Sequence, residues 1–581
     1  MSTAETVPKE IPDWKALTAQ SAVPFRYTKN HIHHTWAKTH YTCPELYLQP
    51  ESVKEIQHIV NTARYCRKKI ITVGSGHCPN DITIPKVPKD TWIVNLDRFS
   101  RVVGYSDDTT DGYREEELLV TVQAGIRLHQ LAAELAKKGW NMPNLGSIWD
   151  QSIAGAIATS THGSSLLHGL LSESVKKLTI MLSDGKSYDC SKDQNQELFE
   201  AALVSLGALG IVTYVTFAAV PQYRISWRQE VWNLPRVLEA WEGDLWTKSE
   251  YARVWWFPYS EKMIVWRADK VGVKEVYDEL TGGVKVEWEQ EVTEPPYSWY
   301  GTTIGYHVYQ LMLYVARWFP RLTPHVERFV FKTQYGWEEG VIGKAVEVGE
   351  KALLLNCLFS QYVNEWAIPL ERGPEAISRL QSWLMGAPNE VHGIPVDNKG
   401  IYVHAPIEVR VTNSSYIHVS DTPSGRRALL DTSNPDGPSL YLNATLYRPY
   451  LSPGNVEMRR RYYRAFEWLM RQYNGKPHWG KNFLVGNGGE VELGCKDEGE
   501  RELLGGGEAW DEMYGGNIRR WRAIRGKADP EGVFTSEWLE RTVLSKEGRT
   551  VEGSMDENGE SSTVLVEDIE ALEFIPFAEM E

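Results

Sequence analysis

The strand-to-turn junction Ile70-Ile71-Thr72-Val73-Gly74-Ser75-Gly76-His77 restricts this chain more than any other stretch. Two glycines at a strand exit let backbone N–H groups approach a phosphate, since no Cβ stands in the way. The imidazole that follows, just ahead of Cys78-Pro79, is then fixed beside whatever the phosphates carry. A dinucleotide fingerprint of the Rossmann kind is excluded. Its third glycine is replaced by Pro79, and Asn80-Asp81 favour a turn over an immediate helix. A nucleotide-cofactor turn and a plain tight turn with a satisfied histidine both remain open here.

A second small-residue segment adds weight to the cofactor reading. Asn144-Leu145-Gly146-Ser147 is followed by Gln151-Ser152-Ile153-Ala154-Gly155, then by Thr159-Ser160-Thr161-His162-Gly163-Ser164-Ser165. So dense a mixture of glycine and hydroxyl residues can line an elongated polar ligand with N–H and O–H donors. A close-packed turn without a ligand is the alternative.

With 581 residues, 42% of them hydrophobic, the chain can build at least two cores. A net charge of −15 argues against general nucleic-acid binding. Six cysteines, none in a CxxC pair, support neither a disulfide framework nor a structural zinc site. The N-terminus lacks the basic and apolar regions of a secretory signal. No window is apolar enough for an ordinary membrane span. The nearest is Ile304 to Phe319, where Ile304, Val308, Leu311, Met312, Val315, Trp318 and Phe319 follow helical spacing. It reads either as a helix packed on the protein's own core or as an interfacial membrane helix.

Along the chain an α+β fold in two domains is expected. Residues 1–35 form an N-terminal arm, in which His31, His33 and His34 read as solvated residues and not as metal ligands. Residues 36–222 alternate strands and helices, including a helix from Ser52 to Cys66 and strands at 91–96, 118–122, 175–182 and 211–220. A second domain at 223–544 carries Trp-rich strands at 253–257, 263–267, 401–411 and 440–446, with helices at 374–385 and 456–472. An acidic, mobile tail occupies 545–581. In Pro406-Ile407-Glu408-Val409-Arg410-Val411-Thr412, Glu408, Arg410 and Thr412 share one strand face. They present either a carboxylate and a guanidinium to a pocket or an exposed ion pair.

These segments, with Val94-Asn95-Leu96-Asp97, Lys476-Pro477-His478-Trp479-Gly480-Lys481 and Asp529 to Phe534, resemble the sugar-1,4-lactone oxidases of the vanillyl-alcohol-oxidase superfamily. The similarity runs from about Trp36 to Trp538. It implies a PCMH-type FAD-binding domain, a sheet-and-helix substrate (cap) domain, and FAD bonded through its 8α-methyl to His77. Gly74, Ser75, Gly76 and Cys78 would surround that link. Gly146, Ser147, Ser152, Gly155 and Thr159, together with His162, Gly163, Ile211 and His478, would complete the cofactor site. No cysteine near Gly146 offers a second link.

The resemblance also assigns Glu408, Arg410 and Lys481 to catalysis. Arg410 would hold substrate oxygens, Glu408 would bond hydroxyls, and Lys481 would put a cation near the flavin N1–C2 edge. Ser164 and Asn443 are further substrate-pocket candidates, and no metal is expected. The implied substrate is an aldono-1,4-lactone oxidised at C2, D-arabinono-1,4-lactone first, with O2 as acceptor, giving an ascorbate-type enediol and H2O2. An alditol oxidase, a cytochrome c-linked lactone dehydrogenase and a flavin-binding scaffold without turnover are the rival readings. Family analogy implies peripheral membrane association at the mitochondrion.

Overall fold

In the computed structural model, residues 11–106, 117–278, 283–355, 357–414, 428–487, 509–544 and 574 are described. The N-terminal half holds two sheets. The first contains β1 (Tyr27–Thr28), β2 (Leu46–Leu48), β3 (Lys69–Val73) and β4 (Thr91–Asn95), in the order β1-β2-β4-β3. Strands β2 and β3 both run parallel to β4. Parallel strands need a crossover, and α2 (Val53–Tyr65) carries the chain from β2 to β3, which flank β4 on either side. The Ser52 side chain caps α2 by accepting from the Glu55 N–H at 3.3 Å. Ile56, Ile59, Val60 and Ala63 turn its apolar stripe onto the sheet core.

The second sheet is antiparallel and orders β9-β8-β10-β6-β5. Its strands are β5 (Val102–Ser106), β6 (Leu118–Gln123), β8 (Val175–Met181), β9 (Ser187–Ser191) and β10 (Ile211–Pro221), with β7 (Trp140–Asn141) pairing β10. After α3 (Leu128–Ala136) comes α4 (Ile153–Ala158), which the Ser152 side chain caps at the Gly155 N–H.

The C-terminal half is built on one antiparallel sheet of eight strands. They are β11 (Arg224–Asn233), β12 (Tyr251–Phe257), β13 (Lys262–Val271), β14 (Gly340–Val348), β15 (Gln361–Pro369), β16 (Ile407–Thr412), β17 (Ser439–Tyr447) and β18 (Lys476–Pro477). The order is β14-β11-β13-β12-β16-β17-β15-β18. Helix α7 (Gly373–Leu384) and helix α8 (Val456–Arg471) bury Trp383, Tyr462, Tyr463 and Phe466 in its core. The small-residue segment docks on the same sheet. Ser165 N–H donates to Val411 O at 2.8 Å, and Ala252 N–H donates to Ser164 O at 3.2 Å.

Four local expectations change. The strand read over 401–411 begins only at Ile407, because Pro406 has no N–H for a ladder. The described part of the arm is integrated. Trp14, on α1 (Trp14–Ala19), is buried with the first sheet's core, β1 joins that sheet, and His33 is buried, 6% exposed. Residues 529–544 return to the N-terminal half. Val533 O accepts from Ile70 N–H at 2.7 Å, and Arg541 clasps Asp81 at 2.6 and 2.7 Å.

The fourth change concerns α5 (Thr303–Trp318), which forms a hairpin with α6 (Thr323–Tyr335). It buries Gly305, Tyr309, Gln310, Leu313 and Ala316. The apolar stripe read from the sequence points outward instead, with Ile304, Leu311, Trp318 and Phe319 exposed. The acidic tail lies outside the described residues except Phe574, whose ring meets Tyr188 edge-on at 6.1 Å. Among the described residues no helix is long and apolar enough to cross a membrane.

Candidate functional site

β3 delivers the Gly74–His77 turn to the wall of a large cavity. Gly74, Ser75, Gly76, His77 and Cys78 line it, together with Ser152, Gly155, Thr159, Leu206, Gly207 and Gly210. Phe534 to Ser536 of the returning C-terminal segment close it. The glycines are needed for space. A Cβ on Gly74 would lie 2.1 Å from Ser152 Oγ, and Gly76 adopts φ +69° beside His34 O. The buried Thr72 hydroxyl, also on the wall, has no protein partner. An elongated channel of small residues with a spare hydroxyl donor fits a dinucleotide such as FAD.

His77 is clamped from two sides. Its Nδ1 meets Ser75 Oγ at 2.5 Å, and Trp36 stacks on the ring at 5.7 Å while donating its N–H to Gly76 O. Burial lowers the His77 pKa to about 4, so the imidazole is neutral and keeps a nucleophilic lone pair at physiological pH. Burial pushes the Cys78 thiol up to about 11, so it stays protonated.

The register of the large sheet assembles a second constellation. Arg253 on β12 stands opposite Arg410 on β16, and Trp255 opposite Glu408. On the other side Arg410 faces Tyr441 on β17, and Asn443 faces Glu365 on β15. Side chains at alternate positions share a face, so Glu408, Arg410, Asn443 and Glu365 converge. Arg410 Nη2 donates to Glu365 Oε1 at 2.7 Å, and its Nε lies 3.5 Å from Glu408 Oε2. Lys481 Nζ reaches Glu365 Oε2 at 3.4 Å. Asn443 binds Glu408 twice: Nδ2 donates to Oε2 at 3.2 Å, and Oδ1 accepts the Glu408 N–H at 3.0 Å. Glu408 Oε1 is buried with no partner.

Glu365 is the hub of this cluster and was not legible in the sequence. It is 1% exposed. Burial works to raise its pKa, but Arg410 and Lys481 outweigh that and hold the carboxyl well below its ordinary range. Arg410 stays charged, since Glu408 and Glu365 outweigh its burial. His162 stacks on Tyr441 at 3.6 Å and bonds Gly163 O through Nδ1 at 2.9 Å. Its bare Nε2 is 3.5 Å from Glu365 Oε1. His478 Nδ1 accepts the Gly480 N–H at 3.1 Å. Burial lowers the pKa of both histidines and keeps them neutral. His162, Glu365 and His478 bring ligand-capable atoms within 4.8 Å of one another. The carboxylate is already matched by two cations, which disfavours a metal there.

The remaining sequence candidates separate. Ser147, Gly163 and Ser164 line a smaller, narrow pocket with Arg253, Trp266, Leu353 and Arg410. Gly146 packs against Thr161, where a Cβ would lie 2.8 Å from Cγ2. Ile211 is wholly buried in the core, while its neighbours Gly210 and Val212 line the large cavity. His162 and His478 belong to the carboxylate cluster, not to the large cavity wall.

A cavity fit for FAD, joined to a cap sheet that buries charged groups, defines a PCMH-type flavoprotein oxidoreductase. Solved cholesterol oxidases share the fold. One from B. sterolicum superposes with a TM-score of 0.67 at 16% identity, covering 90% of this chain and 98% of that one. A family model described as an FAD binding domain matches residues 44–191, and one described as D-arabinono-1,4-lactone oxidase matches 215–542. A putative D-arabinono-1,4-lactone oxidase of Neurospora crassa is 45% identical, covering 93% of this chain and 91% of that protein. The D-arabinono-1,4-lactone oxidases of Yarrowia lipolytica and Saccharomyces cerevisiae are 41% and 36% identical, each over 88% of this chain. The chain belongs to the D-arabinono-1,4-lactone oxidase family.

Proposed function

We propose that this chain is an FAD-dependent oxidase of D-arabinono-1,4-lactone and related aldono-1,4-lactones, acting at C2. The observation that carries the reading is the convergence of Arg410 and Lys481 on the buried Glu365 carboxylate, with Glu408 beside Arg410, in the cap of a family flavoprotein. FAD, when bound, supplies the two-electron acceptor. Gly74 to Cys78, Ser152, Gly155 and Thr159 would hold it, with the neutral His77 as the site of an 8α-histidyl bond.

Arg410, fixed by Glu365, donates to the oxygens at C1 and C2 and stabilises charge that develops there. Glu408, held by Asn443, offers its unpartnered Oε1 to the C2 hydroxyl and can take that proton. Lys481 keeps positive charge on the same edge of the site. Loss of hydride and proton gives a 2-keto lactone, which enolises to an ascorbate-type enediol. O2 takes the electrons and leaves as H2O2.

Anaerobic flavin bleaching by a panel of lactones and alditols tests the substrate. Rapid bleaching by D-arabinono-1,4-lactone is expected, and preferential bleaching by open-chain alditols would replace this reading with polyol oxidation. H2O2 release in air separates an oxidase from a cytochrome c-linked dehydrogenase. Flavin that washes out of acid-precipitated protein would refute the bond to His77.

We also propose peripheral membrane association, at the mitochondrion by family analogy. Ile304, Leu311, Trp318, Phe319, Leu322 and Phe329 form an exposed apolar face on the α5–α6 hairpin. Arg321, Arg328 and Lys332 are exposed beside it, and the hairpin's single acid, Glu327, is buried. A basic, apolar face on a chain of net charge −15 complements an anionic lipid surface. Co-flotation with anionic vesicles, lost in Trp318→Ser/Phe319→Ser, is the expected result. Absence of flotation in the unaltered protein refutes it.

A further inference from the structure

Arg253 occupies a position that packing alone does not explain. It is 4% exposed and stands directly opposite Arg410 across the β12–β16 ladder. Like charges in that register repel, so the pair is a cost to the sheet. Arg410 is matched by Glu365 and Glu408, whereas no carboxylate of the described residues lies in ion-pair range of Arg253. Its guanidinium rests on Trp266, 4.1 Å from the ring centre, and Nη2 makes one long bond, 3.3 Å, to Ala352 O. Nε is buried and bare. Burial lowers its pKa to about 10, with Arg410 adding to the fall and the more distant Glu408 and Glu347 charges opposing it, which still leaves it a cation at neutral pH.

A buried cation with no carboxylate in direct contact is costly unless a ligand completes its shell. The side chain lines the narrow pocket that Arg410, Ser147 and Ser164 also line. Two guanidinium groups beside serine hydroxyls suit the oxygens of a small hydroxylated ring. Leu145, Leu353 and Trp266 supply apolar walls for its C–H faces. The next strand position carries Glu408, so a ligand anchored here reaches the proposed chemical groups.

We propose that Arg253 is a substrate-binding residue: with Arg410 it forms a two-guanidinium subsite for the oxygen-rich end of an aldono-1,4-lactone. The same subsite accepts the carboxylate of the ring-opened aldonate, which binds without being oxidised there. This inference rests on the lactone-oxidation reading and adds a residue and an inhibitor class to it.

The test uses FAD-loaded enzyme with Arg253→Met and Arg253→Lys. In Arg253→Met, KM for D-arabinono-1,4-lactone rises by about 10–100-fold, while kcat, FAD content and Tm stay close to wild type. Competitive inhibition by D-arabinonate, expected in wild type, disappears. Added guanidinium restores part of the affinity, which a purely structural role would not allow. Arg253→Lys keeps the charge without the fork and lies between; it carries the test if Arg253→Met does not fold. Unchanged KM with intact aldonate inhibition overturns the proposal, as does a fall in kcat at constant KM. If lactones fail to bleach the wild-type flavin, the function reading fails on its own. D-arabinonate titrations followed by tryptophan fluorescence, in wild type against Arg253→Met, then still decide the subsite.

Discussion

The two halves of the site are built by opposite means. The large cavity is made by leaving side chains out: glycine, serine and threonine open a channel whose donors are backbone N–H groups and hydroxyls. The cap cluster is made by putting charge in: Glu365 and Arg410 are buried, and Glu408 and Lys481 pack against them half-buried. The first design tolerates no added volume and is nearly indifferent to charge. The second tolerates shape changes better than the loss of one partner, because each charge is paid for by its neighbours.

The largest effect should follow from breaking the charge balance. Glu365→Gln keeps the volume but leaves Arg410 and Lys481 with a neutral partner. We expect kcat to fall about 10²–10³-fold at unchanged FAD content, measured as flavin reduction against flavin absorbance. Parallel losses of flavin and activity would erase the distinction between the halves. The converse break is Gly74→Val. A Cβ already falls 2.1 Å from Ser152 Oγ, and the added methyls enter the channel. Flavin content should drop about tenfold, with the remaining flavin-loaded fraction reduced at the wild-type rate.

Local chemistry explains which half the sequence discloses. A strand, a glycine turn and a histidine are contiguous, so Gly74 to His77 could be read as a unit. Glu408 and Arg410 are two residues apart on one strand, and their shared face follows from the strand period. Glu365 sits alone in Tyr-Val-Asn-Glu-Trp-Ala-Ile, and its partners are brought from β16 and the segment after β18 by sheet register. The available signal was a lone carboxylate inside a run fit for a buried strand, and Arg253 in Tyr-Ala-Arg-Val-Trp-Trp-Phe is the same case. The α5 helix misled for another reason. Helical periodicity identifies an apolar stripe but not what covers it, and here the buried face is the smaller one, with Gly305, Tyr309, Leu313 and Ala316.

Lys481→Met sharpens the charge argument with a smaller effect. Removing one of the two cations that hold Glu365 ionised lets its pKa rise. The acidic limb of the pH profile of flavin reduction should therefore move upward, so that activity is lost at a higher pH than in wild type. A profile that falls in height without moving would separate Lys481 from the Glu365 charge.

The smallest effect isolates burial from pairing within the cap itself. Glu327 on α6 is buried like Glu365 but has no cation in ion-pair contact among the described residues. Its Oε1 accepts from Ser260 N–H at 2.8 Å and from Ser260 Oγ at 2.9 Å. Burial therefore wins and lifts its pKa to about 7, opposite in direction to Glu365. The folded state then holds a proton that the unfolded chain releases near pH 4–5, so stability falls as pH rises from about 4.5 through 7. Glu327→Gln retains the acceptor for Ser260 and cannot ionise. Its Tm should match wild type at pH 5 and exceed it by a few degrees at pH 8, read by thermal unfolding of the holoenzyme. Equal Tm differences at both pH values would show that Glu327 keeps its charge when folded, and that a buried carboxylate in this cap needs no cation beside it.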